Sequence, residues 1–127
     1  MKRLLLLAAL LTAPAGAVGL GPLSKEGVTD GPDKAFYLTL FNPYAERAQF
    51  AVQAVGWDDD MPVGRVRVPP PMPLRAQTQR RFVIITTGLV PGESYRFRLC
   101  AERVISGEEQ IHARVCSRIT ARRLPAG

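Results

Sequence analysis

His112 is the single histidine of the 127-residue chain, and Ser106 and Ser117 lie close to it in sequence. A serine beside an imidazole is the smallest set that supports nucleophilic catalysis, because the hydroxyl attacks poorly until a base takes its proton. A third group must orient that base, and no neighbouring residue has a clear claim to the role. The alternation described below also puts Ser117 on an inner strand face and His112 on a wet one. The chain reads as non-enzymatic, and no cofactor is expected. Asp58-Asp59-Asp60 offers hard oxygen ligands of the kind calcium takes. Three consecutive acids lack the alternate spacing and the glycine of a calcium loop, so the run reads as a polar turn after Trp57 and no metal is expected.

Cys100 and Cys116 are the only cysteines. A redox C-x-x-C pair needs closer spacing, and a metal site needs more ligands than one histidine supplies. A structural disulfide remains, given an oxidising compartment. The first residues supply one. Met1-Lys2-Arg3 is a positive start, Leu4 to Leu11 is an uncharged apolar run, and Ala13-Pro14-Ala15 and Ala15-Gly16-Ala17 are small-residue exits. This is the pattern of a cleaved secretory signal, with cleavage expected after Ala17 or, alternatively, Ala15. The apolar run is short of the roughly 20 residues of a membrane span. The expected protein is periplasmic or secreted, without stable membrane insertion.

Residues 1–17 are thus assigned to the signal, 18–121 to one domain and 122–127 to a flexible tail. About 110 residues remain after cleavage, near the lower end of what buries a sizeable core unaided. The formal charge of +6 includes Lys2 and Arg3, leaving about +4 on the mature chain. A basic balance fits an acidic partner or an anionic surface, and export argues against nucleic acid.

The elements that must hold these residues are strands. Ala35 to Phe41 alternates and stops at Asn42-Pro43. Gln49 to Trp57 follows, with Phe50 and Trp57 expected in the core, and closes on the three aspartates. Val63 to Val68 alternates around Arg65 and Arg67 and meets Pro69-Pro70-Pro71, which cannot sit in a central strand. The Pro69 to Pro73 stretch reads as a corner between two sheets. Arg81 to Thr86, Tyr95 to Val104 and Ile111 to Thr120 complete the set, and a weaker first strand lies between Val18 and Val28. About seven short strands separated by turn signals predict an all-β, immunoglobulin-like β-sandwich of antiparallel strands.

A turn on Ser106 to Gln110, centred on Glu108, sets the last hairpin. It pairs Ile105 with Ile111, Ala101 with Val115, Leu99 with Ser117 and Phe97 with Ile119, a nearly continuous apolar face. Arg96, Arg98, Glu102, His112, Arg114 and Arg118 fall on the other face. That face could dock an acidic partner. The plainer reading is a solvated sheet with cross-strand pairs such as Glu102 with Arg114. The same register brings Cys100 opposite Cys116, within disulfide reach.

The run "RVRVPPPMPLRAQTQRRFVIITTGLVPGESYRFRLCAERV" from Arg65, with the upstream "AFYLTLFNP" and "AQFAVQAVGW", resembles the N-terminal immunoglobulin-like domain of periplasmic pilus-assembly chaperones. Some members of that family also carry a disulfide between the last two strands. The resemblance implies a protein-binding function by strand lending, with alternate side chains of the last strand filling a groove in an exported, pilin-like subunit. Here those side chains are Ile111, Ala113, Val115, Ser117 and Ile119. It further implies that two basic residues grip the subunit's C-terminal carboxylate, with Lys25 and Arg118 as the nearest candidates. The alternative is a structural or accessory envelope module of the same fold that lends no strand.

Overall fold

The computed structural model describes residues 18–105 and 113–127. The signal assigned to 1–17 lies outside the described residues, as do the expected turn on Ser106 to Gln110 and the positions of Ile111 and His112.

Alternation builds the two halves of the core. In β3 (Lys34–Phe41) the even residues Phe36, Leu38 and Leu40 are buried, and in β7 (Gln79–Thr86) Phe82, Ile84 and Thr86 are. In β4 (Ala48–Val55) Phe50, Val52 and Ala54 point inward, and β8 (Ser94–Arg103) contributes Phe97, Leu99 and Ala101. β9 (Arg114–Arg123) adds Ser117, Ile119 and Ala121. Each enclosed Phe, Leu or Ile stabilises the fold by about 1.5–3 kcal/mol relative to an exposed position.

Among the described residues these strands form two sheets without a helix. With the short strands β1 (Gly19–Gly21), β2 (Ser24–Thr29), β5 (Val66–Arg67) and β6 (Met72–Leu74), one is ordered β1-β3-β7-β5 and the other β2-β9-β8-β4-β6, and all neighbours are antiparallel except β2 and β9. This is the expected immunoglobulin-like sandwich, with nine strands in place of about seven. The extra strands have local causes. The single weak strand expected between Val18 and Val28 is two, β1 (Gly19–Gly21) and β2 (Ser24–Thr29), divided at a cis Gly21–Pro22 bond where the chain changes sheets. The proline corner likewise separates β5 (Val66–Arg67) from β6 (Met72–Leu74), which lie in opposite sheets. β5 is shorter than the expected Val63 to Val68 because Val63 donates its N–H to the Ala54 carbonyl at 3.1 Å, holding it at the end of β4.

Arg122 and Arg123, placed in the tail from sequence, belong to β9. They pair with Val28 and Thr29, and the Leu124 N–H reaches the Thr29 carbonyl at 2.9 Å.

Trp57 corrects one expectation. It is not in the core with Phe50 but only partly buried on the outer face of the five-stranded sheet, between the guanidinium groups of Arg96 and Arg118 at 5.4 and 5.0 Å from its ring. The cause is parity: Phe50, Val52 and Ala54 are even, Trp57 is odd, and the strand ends at Val55.

Candidate functional site

The register of β8 and β9 carries the site. Phe97 faces Ile119, Leu99 faces Ser117, Ala101 faces Val115 and Cys100 faces Cys116. The two cysteines are joined as a disulfide, with Cα atoms 4.0 Å apart. Directly opposed residues come that close only where they do not hydrogen bond to each other, so the main-chain groups of Cys116 point away from β8. The neighbouring strand β2 gives the same direction: the Arg118 N–H donates to the Leu23 carbonyl at 2.9 Å. By the two-residue period, Arg114, Cys116, Arg118, Thr120 and Arg122 all present their main chain to the β2 side.

β2 does not reach that far. Its pairing with β9 begins at Ser24 with Arg118 and ends at Thr29 with Arg123. Among the described residues no backbone group bonds the main chain of Arg114 or Cys116 on that side. The first half of β9 is thus an open edge, and its second half is covered.

The side chains expected to fill a partner's groove divide at the same point. Ala113 is exposed and Val115 half-buried, whereas Ser117 and Ile119 are fully enclosed in the domain's own core. Ser117 Oγ donates to the Pro22 carbonyl at 2.6 Å, which ties β9 to the bend between β1 and β2. Ile111 lies outside the described residues.

Lys25 and Arg118 do not converge. Arg118 is opposite Ser24 and turns outward onto Trp57, while Lys25, one position on, donates from Nζ to the Tyr37 carbonyl in the other sheet at 2.9 Å. Adjacent strand positions point to opposite faces, and the structure follows that rule here.

The outer basic face is organised around Asp60. Its Oδ1 accepts from Arg98 at 2.8 Å and from Arg114 at 2.7 Å, and those two hydrogen bonds hold the carboxyl below its usual pKa. Arg98 also donates to the Gly56 and Asp59 carbonyls. Glu102 is opposite Arg114 in register, but the acid that Arg114 meets is Asp60. The aspartate run is a turn, with the Met61 N–H donating to Asp59 Oδ1 at 3.0 Å. The sequence signal for the Arg96–Trp57–Arg118 stack is the odd position of Trp57, which sets it on the face opposite Phe50.

The fold places this chain among solved proteins. It superposes on the Escherichia coli chaperone DraB with a TM-score of 0.67 at 19% identity, covering 85% of this chain and 56% of that one. The chain has a PapD-like fold. A structure of the Salmonella enterica SafA pilin in complex with the SafB chaperone is similar, with a TM-score of 0.70, 18% identity, and coverage of 88% and 57%. The chain therefore spans a little over half the length of the chaperones it matches, over their N-terminal domain. PapD-like domain 7 of human CEP192 matches over 100% of this chain and 99% of its own, with a TM-score of 0.66 and 16% identity. By sequence, no protein-family model and no curated protein matches the chain. Among the described residues no helix is long and apolar enough to cross a membrane.

Proposed function

We propose that this is an exported, non-enzymatic protein-binding domain that pairs the open half of β9 with a strand of an exported, pilin-like subunit. The observation that carries the reading is the uncovered main chain of Arg114 and Cys116, flanked by the exposed Ala113 and by Val115, which is half-buried against the domain's own core. Such an edge gives affinity through main-chain hydrogen bonds, and alternate side chains give specificity. Ile111, Ala113 and Val115 are the positions that enter the partner, and Ser117 and Ile119 anchor the strand from within. The disulfide fixes the strand one residue from Val115. Arg118 meets the partner from the outer face, apart from Lys25.

The test is capture of a partner from envelope extract by the disulfide-bonded domain, followed by amide exchange on the recovered complex. Val115→Arg and Ala113→Arg abolish capture under this reading, and the Arg114 and Cys116 amides become protected in the unmodified complex. Capture that survives both substitutions, or protection elsewhere only, overturns it. Ile119→Arg is not a usable control, because Ile119 is fully buried.

A second reading has its own support. The CEP192 domain is matched along essentially its whole length, which supports a PapD-like domain that stands alone, as the alternative of a structural or accessory module requires.

A further inference from the structure

The four-stranded sheet has an open edge of its own, on β7. β5 pairs with β7 only at Ile85 and Thr86, and the chain then leaves this sheet through Pro69-Pro70-Pro71. The Thr87 N–H donates to the Arg65 carbonyl on the β5 side, and the Thr78 carbonyl accepts from the Asn42 N–H on the β3 side. Alternation along the strand therefore turns the main chain of Arg81 and Val83 toward the β5 side. The passing prolines have no N–H to offer, and among the described residues no backbone group bonds Arg81 or Val83 there.

A groove of about 370 Å³ lies between Pro69–Pro73 and Arg80–Val83. At one end it meets a depression lined by Arg47, Arg75 and Arg80, and at the other it opens beside Tyr37 and Val83. Tyr37 and Val83 face each other in register and are 51% and 38% exposed, a pair of apolar side chains left in water beside an unpaired edge. Among the described residues no carboxylate lines any part of this surface. Arg47, Arg75, Arg80 and Arg81 take no part in the ion pairs among the described residues, whereas Glu26, Glu46, Asp60 and Glu93 are engaged by other arginines. Arg81 lies over the Tyr37 ring at 4.6 Å.

We propose that the β7 edge docks an acidic segment of another protein, which adds as an extended strand beside Arg81 and Val83. A polypeptide is the ligand whose repeating N–H and C=O groups match such an edge. Four arginines without acidic partners among the described residues call for carboxylates, and they disfavour a second copy of this basic chain, which would bring like charges together. The site is in the opposite sheet from β9 and stands independently of the β9 reading.

The probe is a seven-residue peptide alternating glutamate and valine, blocked at both ends, with a lysine–valine peptide as its counterpart. Amide exchange is followed by NMR in the folded, disulfide-bonded protein. The Arg81 and Val83 amides slow by at least about tenfold with the glutamate peptide, while Phe82 and Ile84, already facing β3, do not change. The effect fades at about 0.5 M salt. Arg80→Glu with Arg81→Glu weakens peptide affinity by at least about tenfold without changing the circular dichroism spectrum. If that variant fails to fold, the comparison of the two peptides on the unmodified protein decides. Equal responses to both peptides, slowing confined to Arg114 and Cys116, or binding to anionic phospholipid vesicles without binding to the peptide overturns the proposal.

Discussion

Cys100 and Cys116 face each other across β8 and β9 with Cα atoms 4.0 Å apart, and the bond between them closes a separation of 16 residues. Cross-linking a loop of this size stabilises by about 3 kcal/mol, chiefly by restricting the unfolded chain. Replacing both cysteines by serine is expected to lower stability by roughly that amount, read as a lower urea midpoint. The register should survive, because Phe97, Leu99 and Ala101 still meet Ile119, Ser117 and Val115. Loss of the Phe97–Ile119 contact in the double variant would sink this account.

Glu93 provides a pH handle. Arg65 grips it with two hydrogen bonds of 2.8 and 3.0 Å, and the Val90 N–H donates to it as well. The arginine, then the amide, draw its pKa from 4.5 down to about 2. A carboxyl with a depressed folded-state pKa stabilises above its unfolded value and loses that contribution as pH falls toward the folded one. Stability conferred by Glu93 is therefore complete above about pH 5 and drains away toward pH 2. Melting temperatures across that window should fall more steeply for the native protein than for Glu93→Gln. Parallel curves would remove the Arg65–Glu93 pair from the ledger of acid sensitivity.

Trp57 and Phe50 separate the outer face from the core. Phe50 is fully buried, so Phe50→Ala should cost about 3–5 kcal/mol through lost packing and a cavity. Trp57 is only partly buried, and each guanidinium on its ring contributes about 0.5–1 kcal/mol. Trp57→Ala should accordingly cost well under half as much by chemical denaturation. Equal costs would put the indole back between the sheets.

The contrast between these two aromatics shows what was legible in the sequence. Where one face is buried and the other wet, two-residue alternation reads the strand correctly, as in β3, β8 and β9, and it even set the cysteines opposite each other. The same parity puts Trp57, at an odd position, on the face opposite Phe50. The open edge of β9 was harder to see, since its extent depends on where β2 begins. That is decided by the sheet change at Gly21–Pro22, a tertiary event with no periodic signal. The β7 edge was hidden for a similar reason. The proline corner was legible, but which strand it leaves unpaired depends on the topology of both sheets.

Gly27 tests the closure of the β2–β9 pair. It lies opposite Ala121, and a Cβ there would stand 2.9 Å from Cε1 of the buried Phe36 ring, closer than such contacts tolerate. Phe36 is only 2% exposed and has little room to retreat, so β2 must lift instead. Gly27→Ala is expected to destabilise by about 1–3 kcal/mol, the usual cost of overpacking. The loss should be local in its signature. The Arg118, Thr120 and Arg122 amides, which face β2, should exchange faster, while Val115 and Ser117, which face β8, keep their protection. A uniform rise across β9 would mean that Gly27 matters to the whole sandwich and not to the strand that covers half of its open edge.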